Sequence, residues 1–195
     1  MAILKKISNA IVEWLMDLQV IEESEKEFYQ YGFQLLVSSL IDAIWVLFWG
    51  GVTGRASLAI SYVLILITVR TQIGGFHAST YFRCFISYTL FFIISVILYD
   101  ICIKYKMSIT ILGILILAIF AFEIFFSPVP HRKKLSNEER IQAKVCGIKR
   151  TSIWILLAIV GWHIIPQWSY AIVTVLCVSV ALMMWEFVYQ KIKNR

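Results

Sequence analysis

Ala56-Ser-Leu-Ala-Ile-Ser-Tyr-Val-Leu-Ile-Leu-Ile-Thr-Val69, then Arg70-Thr-Gln-Ile-Gly-Gly-Phe-His-Ala-Ser-Thr-Tyr-Phe-Arg-Cys84, then Phe85-Ile-Ser-Tyr-Thr-Leu-Phe-Phe-Ile-Ile-Ser-Val-Ile-Leu-Tyr99: two uncharged apolar runs enclose one polar stretch that carries a Gly-Gly pair. Runs of that length and purity predict helices in lipid, and the stretch between them predicts a turn at the membrane edge. The pattern repeats along the chain. Further apolar runs lie at Tyr31–Gly50, Ser108–Phe126, Thr151–Ile165 and Trp168–Tyr189, separated by Gly50–Gly54, Lys104–Met107, a long basic loop and the Trp162–Trp168 turn with Pro166. With 60% hydrophobic and 15% charged residues among 195, and a mean hydropathy of +0.80, the chain is far more apolar than a soluble domain. The expected fold is an all-α integral membrane protein of about six transmembrane helices in a single domain, 1–195. An interfacial helix occupies 1–27, the bundle 28–195, and a cytoplasmic basic loop 127–150.

The net charge of +6 is distributed as the positive-inside rule requires, so it implies contact with lipid and no nucleic-acid partner. With the N-terminus inside, only Arg55, Lys104 and Lys106 of the 18 Lys and Arg fall outside. That orientation puts both termini, His77 and Cys84 at the cytoplasmic face of the cell membrane, where thiols stay reduced. Cys84, Cys102, Cys146 and Cys177 have neither CxxC nor other metal-type spacing, so no disulfide framework, metal site or cofactor is expected. Before the first span Ile3, Leu4, Ile7, Ile11, Trp14, Leu15 and Leu18 recur at helical spacing opposite Lys5, Lys6, Asn9, Glu13 and Asp17. This predicts a helix lying on the membrane surface rather than a signal peptide.

A histidine and a thiol in one polar turn suggest a cysteine nucleophile with its base. Seven residues of straight helix would leave His77 and Cys84 about 10 Å apart along the axis, too far for proton transfer. Gly74-Gly75 allows the chain to turn, and Ser79 or Thr80 can cap a helix that starts after the histidine. His77 then lies in the turn and Cys84 in the first helical turns, where the helix dipole, Arg70 and Arg83 favour thiolate. The second span, Ala56–Val69, gives roughly 21 Å of helix against a hydrocarbon core of about 30 Å. Either Arg70 snorkels or the turn sits below the headgroups as a pocket wall. Gln72 and backbone amides near Cys84 are candidate oxyanion donors.

Pro128-Val-Pro-His-Arg-Lys-Lys-Leu-Ser-Asn-Glu-Glu-Arg140 opens the basic loop. It reads as a topological anchor, or alternatively as an electrostatic dock for an acidic peptide through Arg132, Lys133 and Lys134. Ser136-Asn-Glu-Glu139 fits a capping box, predicting a short helix from Asn137 to about Lys149. Asp42 lies mid-span and Glu123 in the inner third of its span; such acids face partners or cavities. Glu123 is expected to meet an arginine, whereas the depth of Asp42 argues against contact with His77 or Arg70. His131, His163, Cys102, Cys146 and Cys177 are expected to be packing or surface residues.

The Arg-x4-Gly-x-His-x6-Cys arrangement of Arg70, Gly75, His77 and Cys84 resembles the accessory gene regulator protein B family, AgrB, the membrane cysteine endopeptidases of Gram-positive quorum sensing. So do the amphipathic N-terminus, the His–Cys segment after the second span and the proline-bearing basic loop after the fourth. The resemblance implies that Cys84 is the nucleophile and His77 its base, with Arg70 and Gly75 supporting the site. It implies an AgrD-like propeptide substrate, cleaved before its acidic tail through an acyl-thioester and cyclised to a thiolactone or lactone autoinducing peptide, and it implies a homodimer. The loop carries fewer prolines and lysines than is common in the family, which bears on substrate specificity and not on the catalytic pair. Two other classes are compatible with the residues alone: a small polytopic transporter or exporter using Asp42 and Glu123, and a non-catalytic scaffold indifferent to His77 and Cys84.

Overall fold

The computed structural model describes residues 2–70, 80–126 and 136–193. Every apolar run of the sequence is helical there. Helix α1 (Ala2–Asp17) and a 3-10 turn (Glu23–Glu25) lead into α2 (Lys26–Val52), α3 (Ala56–Ile65) and a π-helical turn (Leu66–Arg70); α4 (Tyr81–Lys104), α5 (Ile109–Phe126), α6 (Asn137–Ile164) and α7 (Pro166–Lys193) follow. Four stretches are long and apolar enough to cross a membrane: Glu23–Val52, Tyr81–Lys104, Asn137–Ile164 and Pro166–Trp185. Ala56–Val69 and Thr110–Phe126 are shorter apolar helices.

The breaks fall where turn chemistry puts them. Gly54 takes φ +71 after α2, a left-handed conformation that costs glycine little. Pro166 begins α7 at the position where its missing N–H is no loss. Between α2 and α3 the backbones approach so closely at Gly50 that a Cβ there would overlap the Cβ of Ala59. At the same end Arg55 forms a two-pronged ion pair with Asp100 of α4, Nε to Oδ1 at 2.9 Å and Nη2 to Oδ2 at 2.7 Å. Tyr99 and Ser57 share a hydrogen bond beside it. The start of α3 thus meets the end of α4, so the two helices run antiparallel.

The centre of the bundle is α7. Over an apolar 18-residue stretch within Pro166–Trp185, 72% of residues are buried, against 17% over the corresponding stretch of each of the other three long helices. It packs against α3, α4, α5 and α6, and Ser169 through Leu176 are buried without interruption. A helix apolar all round that lies in a core must present small or flat surfaces to every neighbour. Ser169, Ala171, Val173, Thr174 and Val175 supply them. Helix α1 packs along α2, with Ser8 and Val12 wholly buried while Ile7, Trp14 and Leu18 remain exposed.

One expectation needs correction. The helix capped by Ser136 is not a short piece inside a loop: it continues without a break to Ile164. No proline or exposed glycine interrupts it, and Gly147 is buried. Its polar first half and apolar second half form one rod.

The close contact of α2 with α3 gives a direct check. Gly50→Ala should cost about 1–3 kcal/mol through overpacking, and Gly50→Ala with Ala59→Gly should recover most of it. Thermal unfolding in detergent would measure both variants.

Candidate functional site

Helix α4 starts as its sequence predicts. Thr80 is the N-cap, in extended conformation, and its side-chain oxygen accepts from the Arg83 amide at 3.3 Å. The Cys84 amide donates to the Thr80 carbonyl at 3.0 Å, which places the thiol at the fourth residue of the helix. Cys84 is half-buried and Arg83 exposed. Neighbouring helices fix this end from two sides. The Tyr81 hydroxyl donates to Gln34 Oε1 of α2 at 3.1 Å, and Phe85 packs on Trp45. From α3, the Tyr62 hydroxyl donates to the Tyr88 carbonyl at 2.8 Å, with its ring edge-on to Tyr88 and Phe92.

The other approach to the site is the end of α3. Within the π turn, Thr68 Oγ1 donates to the Leu64 carbonyl at 2.7 Å. Two residues of α6 reach it: Trp154 Nε1 donates to Thr68 Oγ1 at 2.9 Å, and Arg150 Nη1 to the Thr68 carbonyl at 2.8 Å. The sequence reading counted Arg150 only as a topological charge. The missed signal was its spacing of four from Trp154 on one uninterrupted helix.

Glu123 of α5 is wholly buried. Among the described residues its partner is a hydroxyl: Thr151 donates to Oε1 at 3.0 Å, and Oε2 has no partner among them; the side chain of Arg70, the arginine expected here, lies outside the described residues. The neighbouring Arg150 is turned instead to α3. Asp42 is buried in α2. Cys102 lies far along α4, its sulfur 3.2 Å from Met107 Sδ and 4.0 Å from the Thr174 hydroxyl, a packing environment. His163 is exposed near the end of α6.

Of the residues singled out in the sequence, the structure thus sets Cys84 and Arg83 in one turn. Arg70 closes the π turn, and its side chain lies outside the described residues. Gln72, Gly75 and His77 also lie outside them, as do Arg132, Lys133 and Lys134. The helix ends nevertheless relate the two segments. Thr68 near the end of α3 meets Arg150, and Glu123 near the end of α5 meets Thr151. The ends that lead into 71–79 and 127–135 therefore lie at the same end of the bundle. Helix α6 begins at Asn137, 13 residues before Arg150, so its basic first half projects roughly 20 Å beyond that level.

A helical bundle of membrane-spanning character, with a thiol at the capped start of one helix and a basic helix packed on the end of another, is the class of protein these elements define. The chain belongs to the AgrB family: the family model Accessory gene regulator B matches residues 4–189. No curated protein and no solved structure gives a significant match.

The Glu123–Thr151 bond carries its own test. Thr151→Val leaves a buried carboxyl without that donor and should lower stability by about 1–3 kcal/mol, whereas Thr151→Ser should keep most of it. Thermal unfolding of the purified variants separates the two.

Proposed function

We propose that this chain is a membrane cysteine endopeptidase that cuts the acidic C-terminal tail from an AgrD-like quorum-sensing propeptide and promotes closure of the remaining peptide to a cyclic thiolactone or lactone. The observation that carries the reading is the position of Cys84: in a chain of the AgrB family, it stands in the first turn of a Thr80-capped helix, directly after the segment that contains His77.

The chemistry follows from that position. His77 takes the thiol proton, and the Cys84 sulfur attacks the carbonyl carbon joining the future signal peptide to its tail. The Arg83 and Cys84 amides are engaged by Thr80, and the Tyr81 and Phe82 amides, which precede any intrahelical acceptor, are the candidates for the developing oxyanion, with Gln72 a further donor. The C–N bond breaks, the proton passes from His77 to the leaving amine, and an acyl-thioester on Cys84 remains. His77 then takes the proton of the substrate's own thiol, whose sulfur attacks the same carbonyl; the bond to Cys84 breaks, and the proton passes from His77 to the Cys84 sulfur. One thioester replaces another, so no external energy source is needed. Water must be excluded, or hydrolysis competes.

Arg70 and Gly75 support the pair, and Arg83 adds positive charge beside the thiol. Arg132, Lys133 and Lys134, in the segment leading to the basic half of α6, receive the acidic tail. The six apolar helices α2–α7 cross the cell membrane with both termini and the site on the cytoplasmic side. The exposed Ile7 and Trp14 of α1, with Leu18 just after it, rest in the interface, and the active form is a homodimer.

Cys84→Ala should abolish release of the tail from a co-expressed AgrD-like propeptide, with the variant still accumulating in the membrane; wild-type release would refute the assignment. Glu123→Gln should retain release within about twofold, since it preserves the Thr151 bond, whereas a transporter relying on that carboxylate would lose its activity. Replacing Arg132, Lys133 and Lys134 together with Gln should raise the apparent KM about five- to hundredfold, most at low salt, with turnover unchanged. Flat kinetics with loss of correct insertion, read by protease access to the loop, would reduce those residues to an anchor.

A further inference from the structure

Thr68 is held at two points by one face of a neighbouring helix. Arg150 and Trp154 are four residues apart in α6, so they project from the same side one turn from each other. All three residues are half-buried. An indole N–H can only donate, which fixes the direction of the chain of bonds: Trp154 to Thr68 Oγ1, and Thr68 Oγ1 to the Leu64 carbonyl. The Thr68 carbonyl lies in the last turn, where helix carbonyls lose their intrahelical donors, and the Arg150 guanidinium supplies one.

This grip falls on the π turn Leu66–Arg70. A π turn accommodates an extra residue relative to α-helical winding, and such turns recur at functional sites. The next described residue after Arg70 is Thr80, the cap of the Cys84 helix. The two ends of the segment that contains His77 are therefore anchored independently, one by Thr80 and the Tyr81–Gln34 bond, the other by Thr68 in the grasp of α6. Simple support of α3 does not need this arrangement, because α3 is already packed against α2, α4 and α7 along its length.

We infer that Arg150 and Trp154 are positioning residues: by holding Thr68 in the π turn they set the point from which the His77 segment departs relative to Cys84. The inference rests on the reading of His77 and Cys84 as the reacting pair.

Two measurements on the full-length protein test it. In the processing reaction, Thr68→Val and Trp154→Phe should each lower kcat about ten- to hundredfold with little change in KM, the loss expected when a reacting group is misplaced by an ångström or so. The double variant should be no worse than the worse single one, because both remove the same bond. Arg150→Lys should recover part of what Arg150→Gln loses. Independently of catalysis, a His77→Cys variant lacking Cys102, Cys146 and Cys177 can be cross-linked to Cys84 with a short bismaleimide. The yield should fall on adding Trp154→Phe or Thr68→Val while elution from size exclusion in detergent stays unchanged. Unchanged cross-linking, or losses in kcat that add in full, would overturn the positioning role and leave the catalytic reading standing. If Cys84→Ala processes the propeptide normally, the catalytic reading fails, and the cross-linking yield still decides whether α6 places the segment.

Discussion

A helix in lipid has no water to satisfy the amides at its start or the carbonyls at its end, so the chain must provide for them itself. Much of the polar chemistry here answers that demand. Thr80 receives the Arg83 amide; Ser136 and Glu139 satisfy one another's backbone amides; Pro166 has no amide to satisfy; Arg150 donates to the Thr68 carbonyl. The same economy operates between helices, where the Ser169 hydroxyl donates to the Ala158 carbonyl at 2.7 Å. The caps finish each helix locally, whereas the bonds of Arg150 to Thr68 and of Ser169 to Ala158 fix one helix against another.

The packing around these bonds is uneven. Helix α7 is surrounded, whereas α2, α4 and the apolar half of α6 keep broad exposed apolar faces of the kind lipid covers. With α7 as a common partner, α3 to α6 are arranged around a single axis. Cys84 and Thr68 then approach the same end from α4 and α3, helices joined at the far end by Arg55 and Asp100. A site built this way sits on helix ends held by three neighbours, the sort of support that keeps reacting groups in register.

Turn and cap chemistry was readable in the sequence because it is local. Thr80, Ser136 with Glu139, and Pro166 all mark helix starts as their residue types require, and the six apolar runs became α2–α7. Three things were not readable. The centrality of α7 was hidden because every membrane helix is apolar on most faces, so periodicity no longer distinguishes a core face from a lipid face; only the small residues around Ala171 hinted at it. The continuity of α6 was hidden because a change from polar to apolar composition resembles a boundary, though no residue near Arg150 breaks a helix. The contacts of Glu123 with Thr151 and of Arg150 with Thr68 depend on which helices are neighbours, and charge alone does not point to them. At the candidate site, the place of Cys84 in its helix followed from the Thr80 cap. The relation of His77 to it rests on the motif and the family, since His77 lies outside the described residues.

The central claim is an acyl-enzyme on Cys84, and it can be observed as a covalent species. A synthetic AgrD-like propeptide whose internal cysteine or serine is replaced by alanine can acylate the enzyme but cannot close the ring. After incubation with the full-length protein and acid quenching, peptide mass mapping should find the truncated substrate, less one water, on the peptide containing Cys84, and hydroxylamine should remove it. Tail release without any adduct on Cys84, or with the adduct on another residue, would contradict the account.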